Sequence, residues 1–250
     1  MRIIIAKDYE EMSSRAARIL AGQIFVKPNS VIGLATGSTP LLMYKELIRI
    51  YRTEGMDFSE VVTFNLDEYI GLSADNINSY HYYMFDNLFN HINIKRENIF
   101  IPDGMASDIE RECRTFEENI HKKGGIDLQV LGIGNNGHIG FNEPDIKFEA
   151  TTHQVRLDEE TILANARFFE TIDEVPKYAI SMGIKTIMHA RKIVLLASGY
   201  SKAEALSKAL YGGITPEIPA SILQPHQDVT VVVDQECAGL LKEYGDDGIE

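Results

Sequence analysis

Short β-rich runs and helix-periodic segments alternate along the chain, and that alternation restricts the architecture more than any single motif. RIII (residues 2–5), VIGLA (31–35), VVTFNL (61–66), DLQVL (127–131), KIVLLAS (192–198) and DVTVVV (228–233) read as strands. Between them lie YEEMSSRAARILAGQIF, PLLMYKELIRIY, SYHYYMFDNLF, SDIERECRTFEENIHKK and SKAEALSKALY, with apolar residues at helical spacing. Strands alternating with helices predict an α/β fold, an open and mostly parallel sheet with helices on both faces. No Pro/Ser-rich linker, charge block or internal repeat divides residues 1–250, so a single domain is expected. By composition, residues 156–175 (RLDEETILANARFFETIDEV) read as polar helix and loop.

Charge and cysteine content narrow the function classes. A formal net charge of −13 repels nucleic acid and anionic lipid, so neither is an expected partner. No run approaches the ~18 apolar residues that span a bilayer, and MRIIIAKDYEEM lacks the form of a signal peptide. Cys113 and Cys237 are isolated and show no metal-ligand spacing. They suit a reducing, cytoplasmic setting better than a disulfide framework. If the ligand is an anion, an acidic chain must gather its cations locally.

In open α/β sheets, ligands sit at the carboxyl ends of the strands. After VIGLA comes TGSTP. Thr36, Gly37 and Ser38 form a turn whose backbone N–H groups can meet an anion at a helix start. Thr39 is expected to cap that helix and Pro40 to occupy its first position. The turn is neither a Walker loop nor a GxGxxG fingerprint. After VVTFNL comes Asp67-Glu68-Tyr69, two carboxylates that project in different directions, one toward a pocket and one toward structure. After DLQVL comes GIGNNGHIGFNEP. Gly132, Gly134, Gly137 and Gly140 permit close backbone approach, and His138 and Glu143 among them are candidate proton-transfer groups. After KIVLLAS comes GYSKAE, where Ser201 and Glu204 match a capping box. Lys202 then falls near the first helical position, where a cation opposes the helix dipole at a cost of roughly 0.3–1 kcal/mol.

Taken alone, the capped turn and the acidic pair read more simply as ordinary structure, the polar loop is evenly balanced between a mobile turn and a site, and Lys202 favours an anion, because nothing structural asks for a cation at that helix end. Together, on one edge of a sheet, they describe a pocket with an anion end (Ser38, Thr39, Lys202) and a proton-transfer end (Asp67, His138, Glu143). A sugar phosphate needs both.

Over nearly its full length the chain resembles the glucosamine-6-phosphate deaminase family. The resemblance is carried by LATGSTP, FNLDEYIGL, SYHYYMF, GIGNNGHIGFNEP, ANARFF, VPKYAISMGI and SGYSKAEAL, in the family's order and spacing. It implies a Rossmann-like fold, shared with 6-phosphogluconolactonases and with sugar-phosphate-sensing domains of transcription regulators. The lactonases carry GxGxDGHxASLFP, whereas here the histidine is followed by IGFNEP. The implied reaction turns D-glucosamine 6-phosphate and water into D-fructose 6-phosphate and ammonia, without metal, redox or organic cofactor. By the same resemblance, His138 opens the sugar ring, Glu143 holds or charges its imidazole, and Asp67 moves a proton from C2 to C1. The turn of residues 36–39, Lys202 and Arg167 would bind the phosphate, and residues 156–175 would form a mobile lid.

Two departures from the family pattern matter. Asn136 stands where many members carry Asp, so it is expected to position the ring without charging it. The stretch DIKFEATTHQVRL, after the FNEP motif, does not match the basic site at which some hexameric members bind N-acetylglucosamine 6-phosphate. Activation of that kind is expected to be weak or absent, and the choice between monomer and homo-oligomer stays open. Two other readings stand beside the deaminase: a lactonase-type hydrolase, and a non-catalytic sugar-phosphate sensor. A sensor calls for an attached DNA-binding segment, and none precedes RIIIAKD.

Overall fold

In chain order the strands are β1 (Arg2–Ala6), β2 (Val31–Leu34), β3 (Val62–Asn65), β4 (Asp67–Tyr69), β5 (Ile99–Phe100), β6 (Leu128–Gly132), β7 (His153–Arg156), β8 (Tyr178–Ser181), β9 (Lys192–Ala197) and β10 (Val229–Asp234). The helices are α1 (Tyr9–Val26), α2 (Leu41–Glu54), α3 (Tyr80–Asn87), α4 (Ile109–Lys122), α5 (Glu159–Asn165), α6 (Ile184–Met188) and α7 (Ala203–Tyr211). This is a computed structural model, and it describes residues 1–243 other than Arg167, Phe168 and Glu170.

Seven strands form one sheet in the order β1-β10-β9-β6-β2-β3-β5, and every pairing in it is parallel. Alternate residues of each strand feed two apolar layers. Ile32, Leu34, Val130, Leu196 and Val232 pack with Met12, Leu20, Met43, Leu47 and Met84 from α1, α2 and α3. Val31, Phe64, Leu131, Leu195 and Val231 pack with Phe116, Ile187, Leu206 and Leu210 from α4, α6 and α7. Both faces are therefore covered, as the β-rich runs predict, and the fold is Rossmann-like α/β.

Local chemistry sets the helix starts. Asp8 and Asp108 cap α1 and α4 by accepting from the Glu11 and Arg111 N–H groups, each at 2.9 Å. Two expected caps do not form. α2 begins at Leu41 after Pro40, with no side-chain cap of its own. Thr39 is engaged elsewhere, its Oγ1 accepting from Lys202 Nζ at 3.1 Å. Tyr9 Oη, from α1, accepts from the Leu42 N–H instead, at 3.3 Å. The Ser201/Glu204 capping box is also absent. Tyr200–Lys202 is a 3-10 turn that leads into α7, and Glu204 pairs forward with Lys208 at 2.6 Å.

A second sheet was not foreseen. β4 leaves the end of β3 and pairs antiparallel with β8, which pairs antiparallel with β7. The 156–175 stretch follows β7 and contains α5 and a 3-10 turn at Ile172–Glu174, which agrees with its polar helix-loop reading. β2 and β6 are neighbours, yet the chain runs outward from β2 to β3 and β5 before returning to β6. That reversal is a topological switch point, where a crevice opens at the carboxyl ends.

Candidate active site

A cavity of ≈ 730 Å³ occupies this crevice, and Thr36, Gly37, Ser38, Thr39, Asp67, Asn136, His138 and Lys202 all line it. Four strand ends thus deliver their predicted side chains to one space. Glu143 sits behind His138. Arg167 lies outside the described residues.

Asp67 stands at the seam between the two sheets. The Leu66 N–H still donates to Leu34 of the large sheet at 3.0 Å, while Met182 N donates back to the Leu66 carbonyl at 2.7 Å. One residue on, Asp67 pairs with Ser181 in the small sheet. Its side chain is buried, and among the described residues its Oδ1 has no hydrogen-bond partner. Burial, and then the neighbouring Glu68 carboxylate, push the Asp67 carboxyl up to about 8, against a smaller opposing contact from the Thr36 hydroxyl. Glu68 points the other way, as expected. Its carboxylate accepts from the Tyr69, Tyr80 and His81 N–H groups at 2.8, 2.9 and 2.8 Å, anchoring the start of α3. Burial carries Glu68 up to about 7 against those three donors.

The glycines of 132–144 answer to particular contacts. A Cβ on Gly134 would lie 2.3 Å from His138 Cε1, so the imidazole packs directly on that backbone. Gly140 has φ +57, and a Cβ there would meet Ser181 Oγ at 3.2 Å and Asp67 Oδ2 at 3.6 Å. The loop therefore folds tightly over both His138 and Asp67.

His138 Nδ1 lies 3.2 Å from Glu143 Oε2. That is within ion-pair range, although the N–H is not aligned for a full hydrogen bond. Asn136 bridges the two: its Nδ2 donates to Glu143 Oε2 at 2.9 Å, and its Oδ1 accepts from the His138 N–H at 3.2 Å. Thr161 of α5 donates to Glu143 Oε1 at 2.5 Å. Burial pushes the Glu143 carboxyl up, but contact with His138 and the bonds from Thr161 and Asn136 outweigh it, leaving the group below its usual range.

At the other end, Gly37 adopts φ +93 and shapes the 36–39 turn, and the Lys202–Thr39 bond ties β9's carboxyl end to β2's. Gly199, at φ +85, gives its N–H to the Asp234 carboxylate, which also accepts from Ser198 Oγ.

The family model described as "Glucosamine-6-phosphate isomerases/6-phosphogluconolactonase" matches residues 7–232. The chain belongs to this family. A protein from Clostridium botulinum (strain Langeland / NCTC 10281 / Type F) named glucosamine-6-phosphate deaminase is 61% identical over 242 residues, covering 97% of this chain and 99% of that one. Another of that name, from Thermoanaerobacter sp. (strain X514), is 60% identical over 243 residues, covering 97% of this chain and 96% of its own length. A solved structure described as a monomeric glucosamine-6-phosphate deaminase superposes with TM-score 0.94 at 52% identity, covering 96% of this chain and 100% of that chain. The 6-phosphogluconolactonase of Trypanosoma brucei superposes at TM-score 0.76 with 19% identity over 96% of this chain and 98% of its own, a likeness of fold alone.

Within this glucosamine-6-phosphate isomerase/6-phosphogluconolactonase family member, sequence reasoning overlooked several residues that line the cavity or hold the groups around it. Asp234 ends β10, and an acid closing an apolar strand was a usable signal. Thr161 and Ser181, whose Oγ accepts from the Phe141 N–H at 3.0 Å, gave none, because their partners depend on the unforeseen small sheet and α5. Among the described residues no group of three His, Cys, Asp or Glu side chains is disposed to hold a metal ion, and no helix is long and apolar enough to cross a membrane.

Proposed function

We propose that this protein is an isomerising deaminase that converts D-glucosamine 6-phosphate and water to D-fructose 6-phosphate and ammonia. One observation carries the reading: a buried carboxylate oxygen of Asp67 and a carboxylate-backed imidazole of His138 share a cavity with a polar turn and a lysine. The relatives at about 60% identity that bear the deaminase name support it over the lactonase and sensor readings.

In this mechanism the phosphate sits against the 36–39 turn and Lys202. Arg167, outside the described residues, is retained as a phosphate ligand on the family resemblance. His138 delivers a proton to the ring oxygen as the ring C1–O bond breaks and the C1 hydroxyl loses its proton, giving the open aldehyde. An imidazole suits this because it can give and take a proton near neutral pH. Ionised Asp67 then removes the C2 proton. The C2–H electron pair forms a C1=C2 double bond while the carbonyl oxygen O1 takes up a proton, giving an enolamine; the same carboxyl returns its proton at C1 as the nitrogen gives one up, leaving an imine at C2. Water adds at C2 of the resulting imine and ammonia departs from C2, leaving the ketose. Glu143 keeps the imidazole oriented; Asn136 positions both.

We also read residues 156–175 as a lid on one catalytic unit, since Thr161 bonds to Glu143 and Phe169 packs edge-on to Tyr69 at 6.2 Å. Closure over the sugar would exclude water and strengthen both proton transfers. A monomer is the assembly we favour, in keeping with the solved monomeric deaminase, and a solution mass near 28.1 kDa tests it. Two free buried cysteines suit a cytoplasmic setting. A coupled assay for ammonia and fructose 6-phosphate, with wild type, Asp67→Asn and His138→Gln, tests the reaction. Both variants should lose most activity while staying folded; release of neither product by wild type would end the proposal.

A further inference from the structure

Tyr9, Tyr44 and Tyr83 come from α1, α2 and α3, and their hydroxyls converge on four residues of backbone. Tyr44 Oη donates to the Ala35 carbonyl. Tyr83 Oη donates to the Gly37 carbonyl and Tyr9 Oη to the Ser38 carbonyl, each at 2.7 Å. Tyr9 Oη simultaneously accepts from the Leu42 N–H, serving as the missing cap of α2 from another helix. Two of the three side chains touch: the Tyr44 and Tyr83 rings meet edge to face with centroids 6.5 Å apart. Burial, and then the nearby Tyr9, raise the Tyr83 hydroxyl above its ordinary range, and burial raises Tyr44 well above it. Both groups therefore stay protonated, as donors, at any working pH.

A planar trans peptide points its C=O and the following N–H in opposite directions. Pulling the carbonyls of residues 35, 37 and 38 toward the tyrosines turns the N–H groups of Thr36, Ser38 and Thr39 the other way, in a turn whose residues line the cavity. The turn needs such restraint. Gly37, at φ +93, permits the shape but is the residue least able to maintain it. A receptor held in its binding conformation spends less of its interaction energy on ordering when the ligand arrives.

We propose that Tyr9, Tyr44 and Tyr83 are positioning residues that hold the 36–39 turn in an anion-receiving conformation, so that their hydroxyls set phosphate affinity without contacting the reacting carbons. This rests on the reading above that the turn receives the substrate phosphate.

The test uses Tyr9→Phe, Tyr83→Phe and the double variant, each losing only hydroxyls of residues that line the cavity. Three quantities are read: calorimetric affinity for inorganic phosphate, KM and kcat for glucosamine 6-phosphate, and Tm. Each single change should raise both the phosphate Kd and KM by about threefold, the worth of one hydrogen bond, and the double by roughly tenfold. KM should rise more than kcat falls. A double variant whose phosphate Kd and KM match wild type overturns the proposal, even if its Tm drops, because the tyrosines would then be structural only. If wild type releases no ammonia yet binds phosphate, and the variants bind it more weakly, the brace stands and the deaminase reading falls. If wild type deaminates while phosphate affinity ignores the variants, the reverse holds.

Discussion

His138 and Glu143 meet across the glycine loop, Nδ1 to Oε2 at 3.2 Å, with the imidazole 23% exposed and the carboxylate 6%. The exposed partner faces the cavity and the hidden one is fixed by hydrogen bonds from Asn136 and Thr161. Orientation therefore passes from Glu143 to the ring. Glu143→Gln keeps the shape and removes the charge, so kcat should fall by roughly 100-fold, the lower range for losing assisted proton transfer. Thr161→Val should cost several-fold less. Steady-state kinetics alongside Tm decide; near-wild-type turnover in Glu143→Gln would mean that the carboxylate does no more than pack.

Asp67 makes a prediction about pH. Its folded carboxyl lies at about 8 against an ordinary 3.8, so the folded chain keeps a proton that the unfolded chain has already released. Stability from that proton is complete below the ordinary value and is lost as pH rises through about 8. Asp67→Asn should thus melt higher than wild type at pH 8, by on the order of 5 °C, with the gap closing toward pH 4. The rate moves the opposite way, because only the ionised form is a base. The acid limb of kcat/KM should lie far above an ordinary carboxylate range, and Glu68→Gln should draw it to lower pH by removing a neighbouring charge. An acid limb near pH 4 in wild type contradicts this account.

How far the site could be read from the sequence differs between its parts. Asp67, His138 and Lys202 were legible because each follows an apolar run, and a parallel sheet exposes those ends together. The divergence of Asp67 and Glu68 was legible too, since adjacent strand residues face opposite sides. The Thr39 and Ser201 caps were misread because capping is judged from local spacing, whereas Thr39 is claimed by Lys202, 163 positions away. The small sheet was hidden for a related reason. β4 is three residues long, and its pairing with β8 depends on a chain that returns after more than a hundred residues. Tyr9 and Tyr83 gave no signal, because a tyrosine at a helical apolar position reads as core.

Asn136 separates positioning from charging. Asn136→Ala loses both bridging bonds, and kcat should drop about tenfold. Asn136→Asp keeps the acceptor for the His138 N–H but sets a second carboxylate where the amide now lies 2.9 Å from Glu143 Oε2. The two acids then need a proton between them or a charged imidazole beside them. Activity should exceed that of the alanine variant, with an optimum displaced to lower pH. An Asp variant with wild type's pH profile would show that the amide's charge neutrality is immaterial.

Lys202 should act on binding more than on turnover. Its Nζ holds Thr39 Oγ1 and lines the cavity, in a chain whose net charge of −13 disfavours an anionic ligand elsewhere. Lys202→Met should raise KM by roughly tenfold or more, the cost of a charge-assisted bond, and leave kcat within a fewfold. The wild-type KM should climb with added salt, and the variant's should climb less, because screening acts on the attraction that the variant has lost. Equal salt dependence in the two would place the phosphate away from this lysine.

Two glycines offer a contrast that tests the geometry itself. At Gly134 a Cβ would stand 2.3 Å from His138 Cε1, with no positive φ to strain the backbone. At Gly37 a Cβ would meet nothing within 4 Å, but the backbone is held at φ +93. Gly134→Ala should therefore push the imidazole off the loop, since the three atoms nearest that Cβ all belong to the His138 ring, and the loss should fall on kcat. A displacement near 1 Å can cost about 100-fold. Gly37→Ala leaves the imidazole alone and strains the turn proposed to receive the phosphate, so the loss should fall on KM and on inorganic phosphate affinity. Kinetics with both variants, paired with a phosphate titration, read the two ends of the cavity independently. If both substitutions raised KM and spared kcat, His138 would not be moving the proton assigned to it.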